Sequence, residues 1–479
     1  MSNAASRRIT ATLGLAAAVA CATNPATGKR QLMLVSENQE AAMGKDADEQ
    51  FHGLYGDFPD RSVQAYVESV ARPLAAVSER PSLPWTFRVI DDPQVNAFAL
   101  PGGYIYVTRG ILAHMNSEAE LAGVVGHEIG HVTARHSASA QSKQLLGALG
   151  LGVGMILSPT LRQGGDALSS AFGLVFLKFG RDQESQADEL GLRYIVRKDY
   201  KPEAMLDVFR MLDGVSHAAG GDRIPNWLST HPAPPNRLAD MTRIIREQGV
   251  SGTKVGRSEF IRHLDGMDFG VNPREGFFKD EVFYHPDMAF RLAFPAGWTC
   301  QNEKQGVSAL PSSRDAMVQL TLAEGDPAAA ASAFASQKGV EAGSVERGNV
   351  NGLAAASLEF ATEDEQGSRF QGMVTFVSHN GRTLQLLGYS TETRYDSYRS
   401  TFRNWIRSYQ RLTDSRILGL QPMRLRIETL RSPSSISSLA RQWNSPVKAE
   451  TLALINAVSL TEAIPAGTLV KRVVGEAIP

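Results

Sequence analysis

The segment from Leu121 to Ser137, LAGVVGHEIGHVTARHS, constrains the chain more than any other, because it sets ionisable groups into the middle of an apolar helix. Leu121, Ala122, Val124, Val125, Ile129 and Val132 want to be inside, so the polar side chains between them must find partners there. His127 and His131 stand four residues apart and share one helix face. Each neutral imidazole can give a nitrogen to one metal ion, and Glu128, about a third of a turn on, can reach a water beside it. The order H-E-x-x-H thus outlines a zinc site built to activate water.

Two histidines do not hold a catalytic zinc, so a third protein donor has to come from elsewhere. His136 lies five residues past His131, whereas the extended H-E-x-x-H-x-x-G-x-x-H pattern has its third histidine six residues on, after a helix-breaking glycine. Ala134 and Ser137 occupy those two places here, so the helix is expected to run on and turn His136 off the metal face, onto the surface. The better candidate is Arg181 to Tyr194, RDQESQADELGLRY, a second helix with Glu184 and Asp188 on one face and small Ala187 and Gly191 that permit close packing. Glu184 can ligate zinc, and Asp188 can accept the free ring N–H of a ligand histidine and fix its tautomer. Acidic pairs at this spacing are common on solvated helix faces, so the second motif gains its meaning from the first.

Taken together, NAFALPGGYIYVTRGIL (Asn96 to Leu112), SEAELAGVVGHEIGH, ESQADELG and THPAPPNRL (Thr230 to Leu238) resemble the M48 family of zinc metallopeptidases. The resemblance implies a mainly helical, zincin-type peptidase domain with a small sheet, holding one Zn2+ per chain. It implies His127, His131 and Glu184 as ligands, Glu128 as general base and Asp188 as the partner behind a ligand. It also implies His231 and Arg237 near the zinc, donating to the oxyanion. The activity expected is that of a metalloendopeptidase cleaving misfolded or misassembled envelope proteins, since no Gly-x-Met-x-Asn type motif for gripping a free amine is found. The alternative is an envelope assembly factor whose proteolysis is latent and whose C-terminal modules bind clients or cell wall.

The rest of the chain reads as several domains of α+β character, as 479 residues permit. Residues 1–20, with Arg7 and Arg8 before an apolar run, read as a lipoprotein signal peptide. Cys21 then reads as a lipidated membrane anchor and 21–35 as a tether. The peptidase domain is expected over 36–248. In it Tyr104 to Thr108 is the candidate strand for pairing with an extended substrate, and the apolar stretch Leu145 to Phe179 reads as core or lid helices, with a membrane hairpin as the alternative. A Gly-rich linker follows over 249–279. Residues 280–413 read as an α+β domain similar to PsbP-like domains, and 420–476 as a small βααβ module that resembles LysM, with Asn456 among the recognisable parts. A net charge of -1 gives no electrostatic case for nucleic acid. Cys21 and Cys300 are too few for a disulfide framework. The expected location is the periplasmic face of a bacterial envelope, at the outer membrane.

Overall fold

The computed structural model describes residues 21–151, 179–218, 231, 236–364 and 367–478. The expected signal segment, residues 152–178 of the apolar stretch, and the THPAPPNRL motif before Asn236, apart from His231, lie outside the described residues. The chain is a mixed α+β protein of two units. Described residues up to Gly270, together with Met423–Gly475, form the first, and Val271–Pro422 form the second.

The first unit opens with an antiparallel hairpin, β1 (Cys21–Thr23) and β2 (Arg30–Leu32). Its turn is built by Asn24, whose side chain accepts from the Ala26 N–H at 2.9 Å, and by Gly28 at φ 70. The stretch expected as a tether is therefore folded: Met33 and Val35 are buried with Ala138, and the Leu34 N–H donates to Ser142 Oγ. Helix α1 (Glu37–Tyr55) starts from a Ser36/Gln39 capping box and α2 (Arg61–Ala76) from an Asp60 cap.

Next come the strands β3 (Thr86–Ile90), β4 (Ala97–Leu100) and β5 (Tyr104–Thr108), in the order β3-β5-β4. This corrects the reading of Tyr104 to Thr108 as the strand that pairs with an extended substrate. β5 is central, paired in parallel with β3 and antiparallel with β4, so both its sides are used.

After α3 (Arg109–His114) the chain enters α4 (Glu118–Thr133), capped by Ser117 Oγ on the Glu120 N–H and buried along its whole length. It ends where Arg135 takes φ 58, held by Glu40 Oε2 at 2.7 Å and the Val35 carbonyl at 3.0 Å. A new helix, α5 (His136–Leu151), starts there, so the chain does not run straight on past Thr133. Helix α6 (Arg181–Arg197) lies so close to α4 that β-carbons are excluded between them. A Cβ on Gly130 would sit 2.9 Å from the Ala187 carbonyl oxygen, and one on Gly191 2.8 Å from the His127 backbone nitrogen. Helices α7 (Ala204–Ala218) and α8 (Arg237–Gln248) follow. The expected linker proves to be structured: α9 (Arg257–His263) buries Phe260 and Ile261 in the core, and β6 (Asp268–Phe269) joins a sheet.

The second unit is built on two antiparallel sheets. β7 (Phe277–Lys279), β8 (Val282–His285) and β9 (Phe290–Ala293) pair in sequence, and β18 (Gln410–Arg411) adds to β9. The larger sheet takes in β10 (Thr299–Glu303), β11 (Gly306–Leu310), β12 (Ala316–Ala323), β13 (Val340–Ala342) and β14 (Glu346–Val350) with three longer strands, in the order β10-β11-β12-β17-β16-β15-β13, and β14 also pairs with β15. Its long strands β15 (Leu353–Glu363), β16 (Arg369–His379) and β17 (Arg382–Thr391) are consecutive and neighbouring. Helix α10 (Pro327–Ala335) packs through Phe334 with Phe360 and Phe376 in one core, and α11 (Tyr395–Arg407) puts Phe402 and Trp405 into another.

Past the short helix α12 (Ser415–Leu418) the chain returns to the first unit. β19 (Met423–Thr429), α13 (Ile436–Gln442), α14 (Ala449–Asn456) and β20 (Leu469–Val474) follow in the βααβ order. This segment does not stand alone: β19 pairs with β6, and Leu452, Ile455, Val470 and Val473 share one core with α4. Lys471, fully buried, donates to the carbonyls of Ala113, Met115 and Ile455. Asn456 is spent inside the fold, its amide on the Leu452 and Lys471 carbonyls.

Candidate active site

The helix pair α4/α6 converts spacing into a cluster. His127 and His131, one turn apart on α4, bring their Nε2 atoms to 3.0 Å from each other. Glu184 approaches from α6, with Oε2 3.6 Å from His127 Nε2 and Oε1 3.5 Å from His131 Nε2. His231 completes the group, its Nδ1 3.1 Å from Glu184 Oε1 and 3.4 Å from His127 Nε2. One candidate donor atom from each of the four lies within 4.8 Å of the others, and all four residues are buried.

A divalent cation fits this group. Glu184 Oε2 is buried and makes no hydrogen bond among the described residues, a costly state that a cation would relieve. Imidazole nitrogens and a carboxylate oxygen form the donor set that zinc takes in catalytic sites. Burial, reinforced by the charges of His127, His136 and His231, holds His131 well below the ordinary histidine range, so its ring is neutral and free to ligate. Burial opposes protonation of His231 as well, but the Glu184 and Glu128 carboxylates outweigh it and raise that residue.

The side chains behind the cluster are as ordered as those in it. His127 Nδ1 donates to Asp188 Oδ1 at 2.8 Å, which leaves Nε2 for the cluster. Asp188 in turn takes both arms of Arg237, at 2.7 and 2.6 Å, and the guanidinium lies 4.3 Å from the centre of the Phe209 ring. Burial would raise the Asp188 carboxyl, but Arg237 and His127 hold it down at about 2. Arg237 was expected to face the reacting oxygen, and its two strongest bonds instead go to Asp188. Glu128, fully buried, puts Oε1 3.7 Å from His231 Nε2.

His136 is the residue that sequence reasoning misplaced. It is buried, 1% exposed, with its Nδ1 3.0 Å from His131 Nδ1 and its Nε2 2.8 Å from Gln186 Oε1. The physical reason is the break at Arg135: with the helix ended, the next turn points back at α4 rather than continuing around it. Gln186 was missed too, and neither carried a signal in spacing or composition.

Two histidines from one helix, a glutamate from its neighbour and a second glutamate between the histidines together make up the side-chain set of the two-histidine, one-glutamate metallopeptidases. The sequence profile of peptidase family M48 matches residues 61–245. The chain is 32% identical to the mitochondrial metalloendopeptidase OMA1 of Schizosaccharomyces pombe, over 47% of this chain and 67% of that protein. It belongs to peptidase family M48.

It is also 36% identical to mitochondrial metalloendopeptidase OMA1 of Arabidopsis thaliana over 37% of this chain and 35% of that one. With the beta-barrel assembly-enhancing protease of Escherichia coli it shares 30% over 46% of each. The alignments thus span between 35% and 67% of these relatives' own length. Among solved structures, cyanobacterial PsbP from Synechocystis matches 28% of this chain and 94% of its own at 16% identity, with a TM-score of 0.24.

Proposed function

We propose that the chain is a zinc-dependent metalloendopeptidase of the bacterial envelope that cleaves misfolded or misassembled proteins. The observation that carries this reading is the buried convergence of His127, His131 and Glu184, with Glu128 beside them. These three residues would hold the metal. When bound, it polarises the scissile carbonyl and makes water acidic enough to attack near neutral pH.

The chain's own groups do the rest. Glu128 accepts the proton of the attacking water and returns it to the leaving amine. Asp188 keeps the proton of His127 on Nδ1, and Arg237 holds Asp188 ionised and oriented, a role its two-armed bond supports better than oxyanion donation. His231, raised by its carboxylate neighbours, is suited to donate to the oxyanion.

Substrate pairing would need a free edge of the three-stranded sheet, and the two edges differ. That of β3 is already used by Gln64, whose amide donates to the Phe87 carbonyl at 2.8 Å and accepts from the Val89 N–H at 2.7 Å. On β4, Asn96 accepts from the Thr108 N–H, which by alternation turns the backbone groups of Ala97 and Ala99 away from β5. Ala97 and Ala99 are themselves buried, so among the described residues neither edge presents a free row of backbone groups to an extended peptide. Membrane attachment through Cys21 rests on the sequence alone. Wall docking by residues 420–476 gains no support, because Asn456 is used internally.

The test is Glu128→Gln, expected to keep the metal and to lower cleavage of an unfolded substrate such as casein by about 10²- to 10⁴-fold. Full cleavage by that variant would sink the assignment. A second reading, latent proteolysis, is favoured by the place of His231 inside the donor group. As a fourth ligand it would close the site. His231→Ala then raises basal cleavage with metal retained, whereas loss of an oxyanion donor lowers it by roughly 10²- to 10³-fold.

A further inference from the structure

The partners behind the two candidate ligand histidines are unlike. His127 has a carboxylate behind it, held by an arginine. His131 has a second histidine, and the bonds continue outward from there. His136 Nε2 meets Gln186 Oε1 at 2.8 Å, and the same oxygen lies 3.3 Å from Asn24 Nδ2 in the turn of the β1–β2 hairpin. Asn24 also donates to the Ala134 carbonyl at 3.3 Å, beside Gln31 Nε2 at 3.2 Å, so the hairpin grips the point where α4 ends.

Proton placement in this series has one solution. If His131 offers Nε2 to a metal, its proton is on Nδ1, which must donate, and His136 Nδ1 must accept. The proton of His136 is then on Nε2, where it donates to Gln186 Oε1. An amide oxygen has two lone pairs, and the second takes the Asn24 N–H. The bonds from the cluster and from the hairpin thus meet at Gln186 Oε1, while the two hydrogens of Asn24 Nδ2 are divided among Gln186 Oε1, the Ala134 carbonyl and Gln31 Oε1, each at 3.3 Å. His131 and His136 are 1% exposed and Asn24 4%, so water does not substitute freely for these three, whereas Gln186 is half-buried.

We propose that His136 is the positioning residue for His131, and that the N-terminal hairpin, through Asn24 and Gln186, is the outer support of the metal site. The segment next to Cys21 then acts on metal retention as well as on the placement of the chain. This rests on the metallopeptidase reading above, which makes His131 a ligand.

The experiment reads metal, not proteolysis. The zinc-loaded full chain is challenged with excess chelator, and the rate of metal loss is followed beside the visible spectrum of the cobalt-substituted protein. His136→Phe, which keeps a ring but no nitrogen, is expected to speed loss by about 10- to 100-fold and to shift the cobalt bands. His136→Gln, which can accept from His131 and donate to Gln186, is expected to restore most of the retention. Asn24→Ala should speed loss in the same direction by a smaller factor, and it serves alone if His136→Phe does not fold.

Wild-type retention in a folded His136→Phe, or equal loss from the Phe and Gln variants, overturns the positioning role. Wild-type retention in Asn24→Ala overturns the part assigned to the hairpin. Glu184→Ala separates the two levels. If it keeps its metal, the metallopeptidase reading is at fault; if it loses metal while His136→Phe does not, this inference alone fails.

Discussion

Both units bury histidines, and the two sets behave differently. In the first, the rings of His127, His131, His136 and His231 meet carboxylates, an amide and one another. In the second, His379 is 1% exposed and lies edge-on to Phe290 and Tyr409, with no hydrogen bond to a side chain among the described residues. His285, half-buried, accepts the Met288 backbone N–H at Nδ1. A buried histidine is therefore no mark of chemistry in itself. The mark is the convergence of a ring nitrogen with other candidate metal donors, which the second unit lacks among the described residues.

The largest effect that would test this contrast is loss of metal. Glu184→Ala should abolish stoichiometric zinc binding and bring cleavage to background, while His379→Ala should leave metal content untouched, as measured by elemental analysis after dialysis. Equal metal content in the two variants would erase the distinction.

A smaller effect is expected one step back from the cluster. Asp188→Asn should weaken metal binding by about 10- to 100-fold. It also strands a buried arginine, so the thermal unfolding of the first unit should reveal a cost of roughly 3–5 kcal/mol. Unchanged stability would mean that Arg237 finds another partner.

The smallest effect lies in the second unit and concerns pH. Burial pushes His285 down to about 4, and the flanking Arg274 and Arg382 act the same way against Asp287. The unfolded chain takes up a proton near the ordinary value of about 6.5 and the folded unit does not. Stability from this residue is therefore complete above pH 6.5 and declines as the pH falls towards 4. Melting the protein at pH 7.5 and 4.5 should reveal a drop of a few degrees that His285→Phe reduces. An identical drop in the variant would assign the pH dependence elsewhere.

What the sequence disclosed follows the range over which each signal acts. His127, Glu128, His131, Glu184 and Asp188 are legible because helical spacing is local, and Ala187 and Gly191 announced the close approach of α6. His136 is not legible, since its direction depends on the left-handed turn at Arg135, which Glu40 holds from 95 residues away. Alternation marked β5 as a strand, but which strands flank it is a matter of register and long-range pairing. The segments read as tether and linker carry Gly, Pro and polar residues, yet Asn24 and Phe260 are buried by partners that composition does not name. The strand and helix order of the C-terminal segment was readable for the same local reason that its attachment to the first unit was not.

That attachment sets a clock. The amine of Lys471 meets the carbonyls of Ala113 and Met115, 358 and 356 residues earlier in the chain. A ribosome delivers α4 and α6 long before it delivers β20, and domains emerging from it fold as their parts arrive. During that interval the core around α4 lacks Leu452, Ile455, Val470 and Val473, and the carbonyls at the end of α3 wait for their donor. The two helices that carry the candidate site are thus among the earlier parts to be made, and the unit around them is among the last to close.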